Sequence, residues 1–186
     1  MTTDIWDQRI TALFGREGAY SDDANDSGGA TAWGITEAVA RAFGYTGPMR
    51  ELTRAQAAAI YRQRYVVQPR LDQLEPIDSA LAARLFDIGV NCGPPTGTRF
   101  LQRALNVLNR GGVLFRDLAV DGALGASTLA ALRAFIAARG EDGRRVLLGM
   151  VTAQQSCRYI EIAEHDASQE DFEFGWQLHR ALGSIS

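Results

Sequence analysis

The chain has 186 residues, of which 46% are hydrophobic, so it can bury a sizeable core and is not an intrinsically disordered protein. Its formal net charge of -3 gives no overall positive field, which excludes attraction to nucleic acid by net charge alone. Two cysteines, Cys92 and Cys157, allow one disulfide at most, and we expect both to be buried or inert thiols.

The first predicted element is a helix. Apolar residues at helical spacing run from Ile5 to Phe14, and Gly15 stands where such a helix would end. Between Tyr20 and Thr36 the sequence is rich in Ser, Asp, Asn and Gly and then becomes a short extended stretch. This is the one clearly non-helical part of the predicted fold.

Helices are predicted over most of the remaining chain. Thr36 is expected to cap a short helix that ends at Gly44, and Thr53 with Gln56 forms a capping box for a helix over 54–66. The later helices are predicted over 76–90, opened by Pro76; over 96–108; over 128–138, capped by Ser127; over 141–164; and from a cap at Ser168 to Gly183. The fold class is therefore mainly α.

Three polar residues near the non-helical stretch are candidates for catalysis. Glu17 follows the first predicted helix, and Asp26 and Thr31 come after eight and then four intervening residues. Gly28 and Gly29 are expected to fold the chain back, so that Asp26 and Thr31 face the end of that helix. Hydrolysis of a glycosidic bond requires such a carboxylic acid and a second polar group that places a water molecule.

The order of these residues resembles that found in a known family, glycoside hydrolase family 108. This family consists of bacterial and phage N-acetylmuramidases. The matching segments are EGAY at 17–20, DSGG at 26–29, Thr31, GIT at 34–36, FDIGVNCG at 86–93 and FLQ at 100–102. The second half, with VDGALG at 120–125 and GW at 175–176, resembles the predicted peptidoglycan-binding segment that accompanies this family. The Glu, Asp, Thr order is also similar to that of tailed-phage lysozymes, whose second gap is one residue longer.

The resemblance implies a mainly α, lysozyme-like helical fold with a short irregular or β-hairpin segment after the first helix. It implies a lysozyme-like catalytic region over 1–92 and a helical lobe over 93–186 that resembles a predicted peptidoglycan-binding domain. The Gly- and Pro-bearing stretch at 92–95 is the candidate seam between them. We expect the two lobes to pack together.

The implied activity is cleavage of the β-1,4 bond between N-acetylmuramic acid and N-acetylglucosamine. Glu17 would be the general acid, with a pKa raised by apolar surroundings, and Asp26 with Thr31 would activate a water molecule. This arrangement predicts inversion and a carboxyl separation of roughly 6.5 to 9.5 Å. The alternatives are a lytic transglycosylase, which forms 1,6-anhydro products, and a non-catalytic peptidoglycan-binding module.

Each candidate residue also has a structural interpretation. Glu17 alone is typical of a solvated charge, while Asp26 and Thr31 are equally typical of turns. Tyr20, Tyr65 and Asn91 are our candidates for substrate binding, although tyrosines more often pack in a core and an asparagine near a helix end is commonly a cap. The sequence VDGALG is equally typical of a structural turn.

No metal or other cofactor is expected, because His165 and His179 have no acidic neighbours in a ligand pattern. The expected partner is the peptidoglycan glycan strand, without nucleic acid or membrane insertion, and a monomer is expected. The N-terminal residues lack the basic and apolar regions of a signal peptide, which predicts synthesis in the cytoplasm and action in the periplasm or at the cell wall. A holin or a secretion system would then provide the export route.

Overall fold

A computed structural model describes residues 4–14, 20–21 and 30–183, with the backbone alone at positions 20 and 21. The chain divides into two compact units, which we call unit 1 (Met1–Gln68) and unit 2 (Pro69–Ser186). Each unit is described by itself.

The described part of unit 1 combines short helices with a small antiparallel sheet. Its elements are α1 (Ile5–Phe14), β1 (Tyr20–Ser21), β2 (Thr31–Ala32), β3 (Ile35–Thr36), α2 (Glu37–Ala42), a 3-10 turn (Met49–Glu51), α3 (Arg54–Arg62) and a π-helical turn (Gln63–Val67). The strand order is β1-β2-β3. The predicted non-helical stretch after the first helix is thus confirmed, and its described part contains a β-hairpin.

Helix α1 buries one face, because Trp6, Ile10 and Phe14 recur every fourth residue and are all buried. The two predicted caps that follow it are also confirmed. Oγ1 of Thr36 accepts a hydrogen bond of 3.4 Å from the backbone of Val39, and Thr53 forms the capping box that opens α3.

Unit 2 is helical in its described residues. Its elements are α4 (Leu71–Leu74), α5 (Ser79–Cys92), α6 (Pro94–Leu108), α7 (Ala126–His165), a 3-10 turn (Ala167–Gln169), α8 (Glu170–Trp176) and a π-helical turn (Gln177–Ala181). Helix α7 is interrupted at Gly140, whose φ of 58° and ψ of -145° are not helical. The two helices predicted on either side of residue 140 are therefore confirmed, and the mainly α class with them.

The core of unit 2 forms where α5, α6 and α7 face one another. Leu81, Leu85 and Ile88 of α5 are almost fully buried, as are apolar residues at helical spacing on the other two helices. These residues are Leu101, Leu105, Leu132, Leu147 and Val151. Burial of each such side chain contributes about 1.5 to 3 kcal/mol relative to leaving it exposed.

Four predicted helix starts are wrong, and one of them is that of α6, which begins at Pro94 and not at residue 96. Asp78, not Pro76, begins α5, because its Oδ1 accepts a hydrogen bond of 3.0 Å from the backbone of Leu81. Helix α7 begins after Gly125 without a side-chain cap, so Ser127 lies inside it. Asp166 precedes the last helical stretch and accepts from the backbone of Ser168, which was itself the predicted cap. Asp and Ser are similar capping residues, so neighbouring candidates cannot be separated by residue type.

The domain boundary predicted at 92 and 93 differs from the division between the compact units at 68 and 69. Gly93 alone joins α5 to α6, with a φ of 88°, and both helices belong to unit 2. The predicted boundary separates a catalytic region from a peptidoglycan-binding region, whereas the compact units are defined by packing alone. The predicted boundary therefore stays a prediction.

Both cysteines are free thiols, Cys92 half-buried and Cys157 exposed. Burial raises the pKa of the Cys92 thiol above its usual value. No helix among the described residues is long and apolar enough to cross a membrane.

Candidate active site

The turn between β2 and β3 has an unusual backbone. Ala32 pairs with Ile35, so Trp33 and Gly34 alone form the loop, and their φ angles are 55° and 73°. A two-residue loop with positive φ at both positions has the pattern of a type I′ turn, in which Asn and Gly are the favoured residues. A tryptophan there is sterically strained by about 1 to 2 kcal/mol, and such strain is concentrated at functional sites.

Specific contacts hold this turn in place. Nε1 of Trp33 donates a hydrogen bond of 2.8 Å to the carbonyl oxygen of Leu52. The hydroxyl of Tyr61 donates to the carbonyl oxygen of Gly34 over 3.5 Å. The Trp33 ring also meets the ring of Phe14 edge-on, with centroids 5.8 Å apart. The strained turn is thus connected to α1, to α3 and to the segment that precedes α3.

Four rings, which we call the aromatic cluster, surround the end of α1. Phe14 contacts Tyr61 edge-on at 5.4 Å as well as Trp33, and Tyr61 contacts Tyr65 at 5.2 Å. Phe14 and Tyr61 are buried, whereas Trp33 and Tyr65 are half-buried. Pairs of this geometry contribute about 0.5 to 1.5 kcal/mol each beyond the burial of their area. The cluster therefore packs the end of α1 against α3 and against the turn between β2 and β3.

Burial raises the pKa of the Tyr65 phenol, and the nearby positive charge of Arg64 opposes this effect. The guanidinium carbon of Arg64 lies 5.4 Å from the centre of the Tyr65 ring. Tyr65 is therefore a neutral, partly accessible aromatic side chain at ordinary pH, which suits contact with a sugar.

Glu17 and Asp26, two of the predicted catalytic residues, lie outside the described residues, but the elements that flank them are described. Residues 15–19 stand between the end of α1 and β1, and residues 22–30 stand between β1 and β2. The two strands are antiparallel, with Tyr20 opposite Ala32. The chain therefore reverses direction between β1 and β2, while the predicted turn at Gly28 and Gly29 lies outside the described residues.

Thr31, the third predicted catalytic residue, lies on the central strand β2. It pairs with Ser21 on one side and with Thr36 on the other, and it is half-buried. Side chains alternate along a strand, so Thr31 and the buried Ala32 point to opposite faces of the sheet. Its backbone is held by strands on both sides.

Asn91, predicted to bind substrate, belongs to a polar network in unit 2. Its Nδ2 donates to the backbone carbonyl of Asp87 at 2.7 Å, and its Oδ1 accepts from Arg180. Oδ2 of Asp87 accepts from Gln155 at 2.7 Å, and Oε1 of Gln155 accepts from Arg84 at 3.1 Å. Both ends of the Asn91 amide therefore have partners within unit 2. Its role toward substrate stays a prediction.

Burial shifts the pKa values of two members of the network. Burial raises the pKa of Tyr159 to about 12, against a hydrogen bond from Gln155 that lowers it. Burial also lowers the pKa of Arg84, while the charge of Asp87 raises it. Nε of Arg84 is buried and has no hydrogen-bond partner within the described ranges. Spacing in the sequence gives no sign of this network, because Arg84 and Gln155 are 71 positions apart.

The VDGALG segment forms a structural turn against α6. Gln102, only 2% exposed, accepts a hydrogen bond from the backbone of Gly122 at 2.9 Å and donates to Asp121 at 2.8 Å. Hydrogen bonds from the backbone of Ala123 and from Gln102 lower the pKa of the Asp121 carboxyl. Gly122 has a φ of 80°, and a Cβ atom there would lie 2.8 Å from Cβ of Pro95. The segment therefore has a structural role of its own.

His165 and His179 are both exposed at the ends of helical segments. Among residues 4–14, 20–21 and 30–183, no group of three or more His, Cys, Asp or Glu side chains could hold a metal ion.

Comparison with known families decides the identity. Residues 10–93 match the model of the family described as Glycosyl hydrolase 108, and residues 96–181 match that of the Predicted Peptidoglycan domain. Residues 10–93 form a glycosyl hydrolase family 108 domain. The chain is an enzyme, a muramidase that acts on peptidoglycan, and its second half carries the peptidoglycan domain.

A solved structure supports the fold of this family 108 hydrolase. The chain is similar to SagA of Brucella abortus, with a TM-score of 0.63 and 23% sequence identity over 92% of this chain and 87% of that chain. The mainly α, lysozyme-like fold expected from the sequence is thereby confirmed. No curated protein matches the chain.

The hydrolase match contains the whole aromatic cluster and extends through α5 to residue 93. The sequence signals for the cluster were incomplete. Among the rings of the cluster, the sequence indicates Tyr65 as a candidate binding residue, but the dipeptide Trp33 and Gly34 gives no sign of a type I′ turn. The role of Leu52 as an acceptor depends on the backbone and leaves no side-chain pattern.

Proposed function

We propose that Glu17 is the general acid with which this family 108 muramidase cleaves the β-1,4 bond between N-acetylmuramic acid and N-acetylglucosamine. The observation that carries the proposal is the match of residues 10–93 to the hydrolase family, joined to the place of Glu17 in the chain. Glu17 stands three residues after Phe14, which ends α1 inside the aromatic cluster.

The apolar rings at the end of α1 would suit a general acid that lies near them. A carboxyl group near apolar rings has a raised pKa, because burial disfavours its charged form, and it stays protonated at the pH of the reaction. Protonation of the glycosidic oxygen by Glu17 would release the leaving sugar and produce an oxocarbenium-like transition state.

In the same proposal Asp26 acts as the base toward a water molecule that Thr31 helps to place. Thr31 supports this role because β2 is paired on both sides, which restricts the movement of its backbone. The proposed outcome is inversion at the anomeric carbon. Analysis of the first-formed anomer by nuclear magnetic resonance tests it, and a retained anomer would exclude Asp26 as the base.

Tyr20, Tyr65 and Asn91 complete the proposal as substrate-binding residues. The half-buried ring of Tyr65 offers a flat apolar surface to a pyranose ring. For Asn91 the proposal requires that an N-acetyl group replace one of its partners, Asp87 or Arg180. Substitution of either Tyr65 or Asn91 by Ala is expected to raise KM more than it lowers kcat.

The decisive experiment compares the wild type with Glu17→Gln, Asp26→Asn and Thr31→Ala on isolated sacculi, with measurement of reducing ends and released muropeptides. Glu17→Gln is expected to lower the rate by about 10²- to 10⁴-fold. Glu51→Gln, which changes an exposed glutamate of the same unit, is the matched control. Equal rates for Glu17→Gln and the wild type would remove Glu17 from the mechanism.

Mass spectrometry of the products tests the reaction type. Hydrolysis incorporates one water molecule per cleaved bond, whereas a lytic transglycosylase leaves 1,6-anhydro ends and incorporates none. The monomeric state, the site of action and the export route stay predictions.

A further inference from the structure

Residues on both sides of the segment that carries Glu17 contact the same β-hairpin, which consists of β2 and β3. At one end, the ring of Phe14 contacts the ring of Trp33 at 5.8 Å. At the other end, the backbone of Tyr20 pairs with Ala32, the residue next to Trp33. Five residues, 15–19, span the interval between these two attachments. The position of the hairpin therefore determines where this segment starts and where it ends.

Trp33 is in turn held from outside the hairpin. Its Nε1 donates to the carbonyl oxygen of Leu52 at 2.8 Å, and the next residue, Gly34, accepts from the hydroxyl of Tyr61. The Tyr61 ring also contacts Phe14 at 5.4 Å. Phe14, Tyr61 and the hairpin thus form a closed set of contacts in which each member touches the other two.

The backbone of Trp33 adds an independent observation. A φ of 55° is costly for a tryptophan, while asparagine or glycine would be favoured in the same turn. The contacts of the indole offset this strain. The ring therefore has a role that the turn itself does not require.

We propose that Trp33 is the positioning residue of the catalytic acid, which it holds through its contact with Phe14 and through the pairing of the neighbouring Ala32. The inference rests on the proposed role of Glu17. Trp33 need not touch the substrate, because it acts on the two ends of the segment that bears the acid. A displacement of about 1 Å at a reacting group can lower a rate by about 10²-fold, so this positioning has a measurable effect.

The substitution Trp33→Asn tests the effect of the indole ring separately from that of the turn. This substitution gives Asn and Gly, a favoured type I′ pair, and so supports the hairpin while it removes the indole. With solubilised, uncross-linked glycan strands as substrate, kcat per folded molecule is expected to fall by at least about 10-fold, with KM within about twofold of the wild type. The alkaline limb of the pH profile, which reports the acid, is expected to move to lower pH, because loss of the indole lets more water reach the end of α1.

Two milder variants keep the test independent of folding. Trp33→Phe retains a ring but removes the donor to Leu52, and it is expected to recover part of the kcat lost in Trp33→Asn. Tyr61→Phe removes the hydroxyl that bonds Gly34 and is expected to lower kcat by about 3-fold at unchanged KM. Its matched control is Tyr45→Phe, which removes a hydroxyl bonded to the carbonyl oxygen of Pro48 at another turn of unit 1.

Failure of this inference is distinguishable from failure of the proposed function. If Glu17→Gln is inactive while Trp33→Asn keeps the wild-type kcat and pH profile, Trp33 is only a turn residue and the inference alone is wrong. If Glu17→Gln stays active in the same assay, the role of Glu17 and the inference are both wrong. A rise in KM at unchanged kcat would instead make Trp33 a binding residue and would also overturn the inference.

Discussion

The side-chain amide of Gln155 donates a hydrogen bond of 2.7 Å to Oδ2 of Asp87. Asp87 lies in the segment that matches the hydrolase family, and Gln155 lies in the segment that matches the peptidoglycan domain. Gln155 is completely buried and also bonds Arg84 and Tyr159. The bond therefore joins the two family segments inside one compact unit.

Substitution of Gln155 by Ala should destabilise the protein. The change removes one hydrogen-bond partner each from the buried Arg84 and Tyr159 and from the half-buried Asp87. We expect the free energy of unfolding to fall by about 3 kcal/mol, measured by urea denaturation. Gln73→Ala, the same substitution at an exposed position of unit 2, should change it by less than about 0.5 kcal/mol. Similar values for the two variants would contradict the importance of the network.

The peptidoglycan domain should require α5 in order to fold. A fragment that begins at residue 94 follows the family boundary but loses Leu81, Leu85 and Ile88, which are almost fully buried in unit 2. We expect a fragment of residues 69–186 to unfold cooperatively on heating, and a fragment of residues 94–186 to show no cooperative transition. Circular dichroism with temperature distinguishes these outcomes. Cooperative unfolding of the shorter fragment would show that α5 is dispensable for this half.

Tyr159 should make stability depend on alkaline pH. Burial raises its pKa from 10.0 to about 12 in the folded protein, so the native state binds the phenolic proton more tightly than the unfolded state does. This contribution is fully present below about pH 10 and is lost as the pH rises toward about 12. The difference corresponds to a loss of about 2 to 3 kcal/mol. Denaturant unfolding of the wild type and of Tyr159→Phe across this range measures it, and equal slopes for the two proteins would exclude Tyr159 as the cause.

Substitution by alanine should destabilise the protein at Gly122 and stabilise it at Gly149. At Gly122 the φ of 80° is strained for alanine, and the new Cβ would lie 2.9 Å from the carbonyl oxygen of Pro95. We expect Gly122→Ala to cost about 2 to 4 kcal/mol. Gly149 lies within α7, and a Cβ atom there would meet no other described residue within 4 Å, so Gly149→Ala should stabilise by about 0.5 to 1 kcal/mol. Thermal unfolding compares the two, and a stabilising Gly122→Ala would show that the turn is not constrained by Pro95.

The helices were predictable because their signals are local. The burial of Trp6, Ile10 and Phe14 follows from spacing within a single helix, and the caps at Thr36 and Thr53 depend on residues three positions away. The family was likewise predictable, because the order of Glu17, Asp26, Thr31 and the intervening glycines is a pattern along the chain. Local signals also have a limit. The residues that cap α5 and the last helical stretch are aspartates close to the predicted Pro76 and Ser168, and α7 begins after Gly125 without a side-chain cap.

The sequence by itself determined the mainly α class, the family and the short list of catalytic candidates, since each depends on residues close together in the chain. Only the tertiary structure decided that Trp33 adopts a strained turn against Phe14, 19 positions before its acceptor Leu52. Only the tertiary structure decided that Arg84 lies against Gln155 in a buried polar network. The physical reason is that such contacts depend on how helices and strands pack, and the energy of a buried polar group depends on which distant side chains exclude water from it.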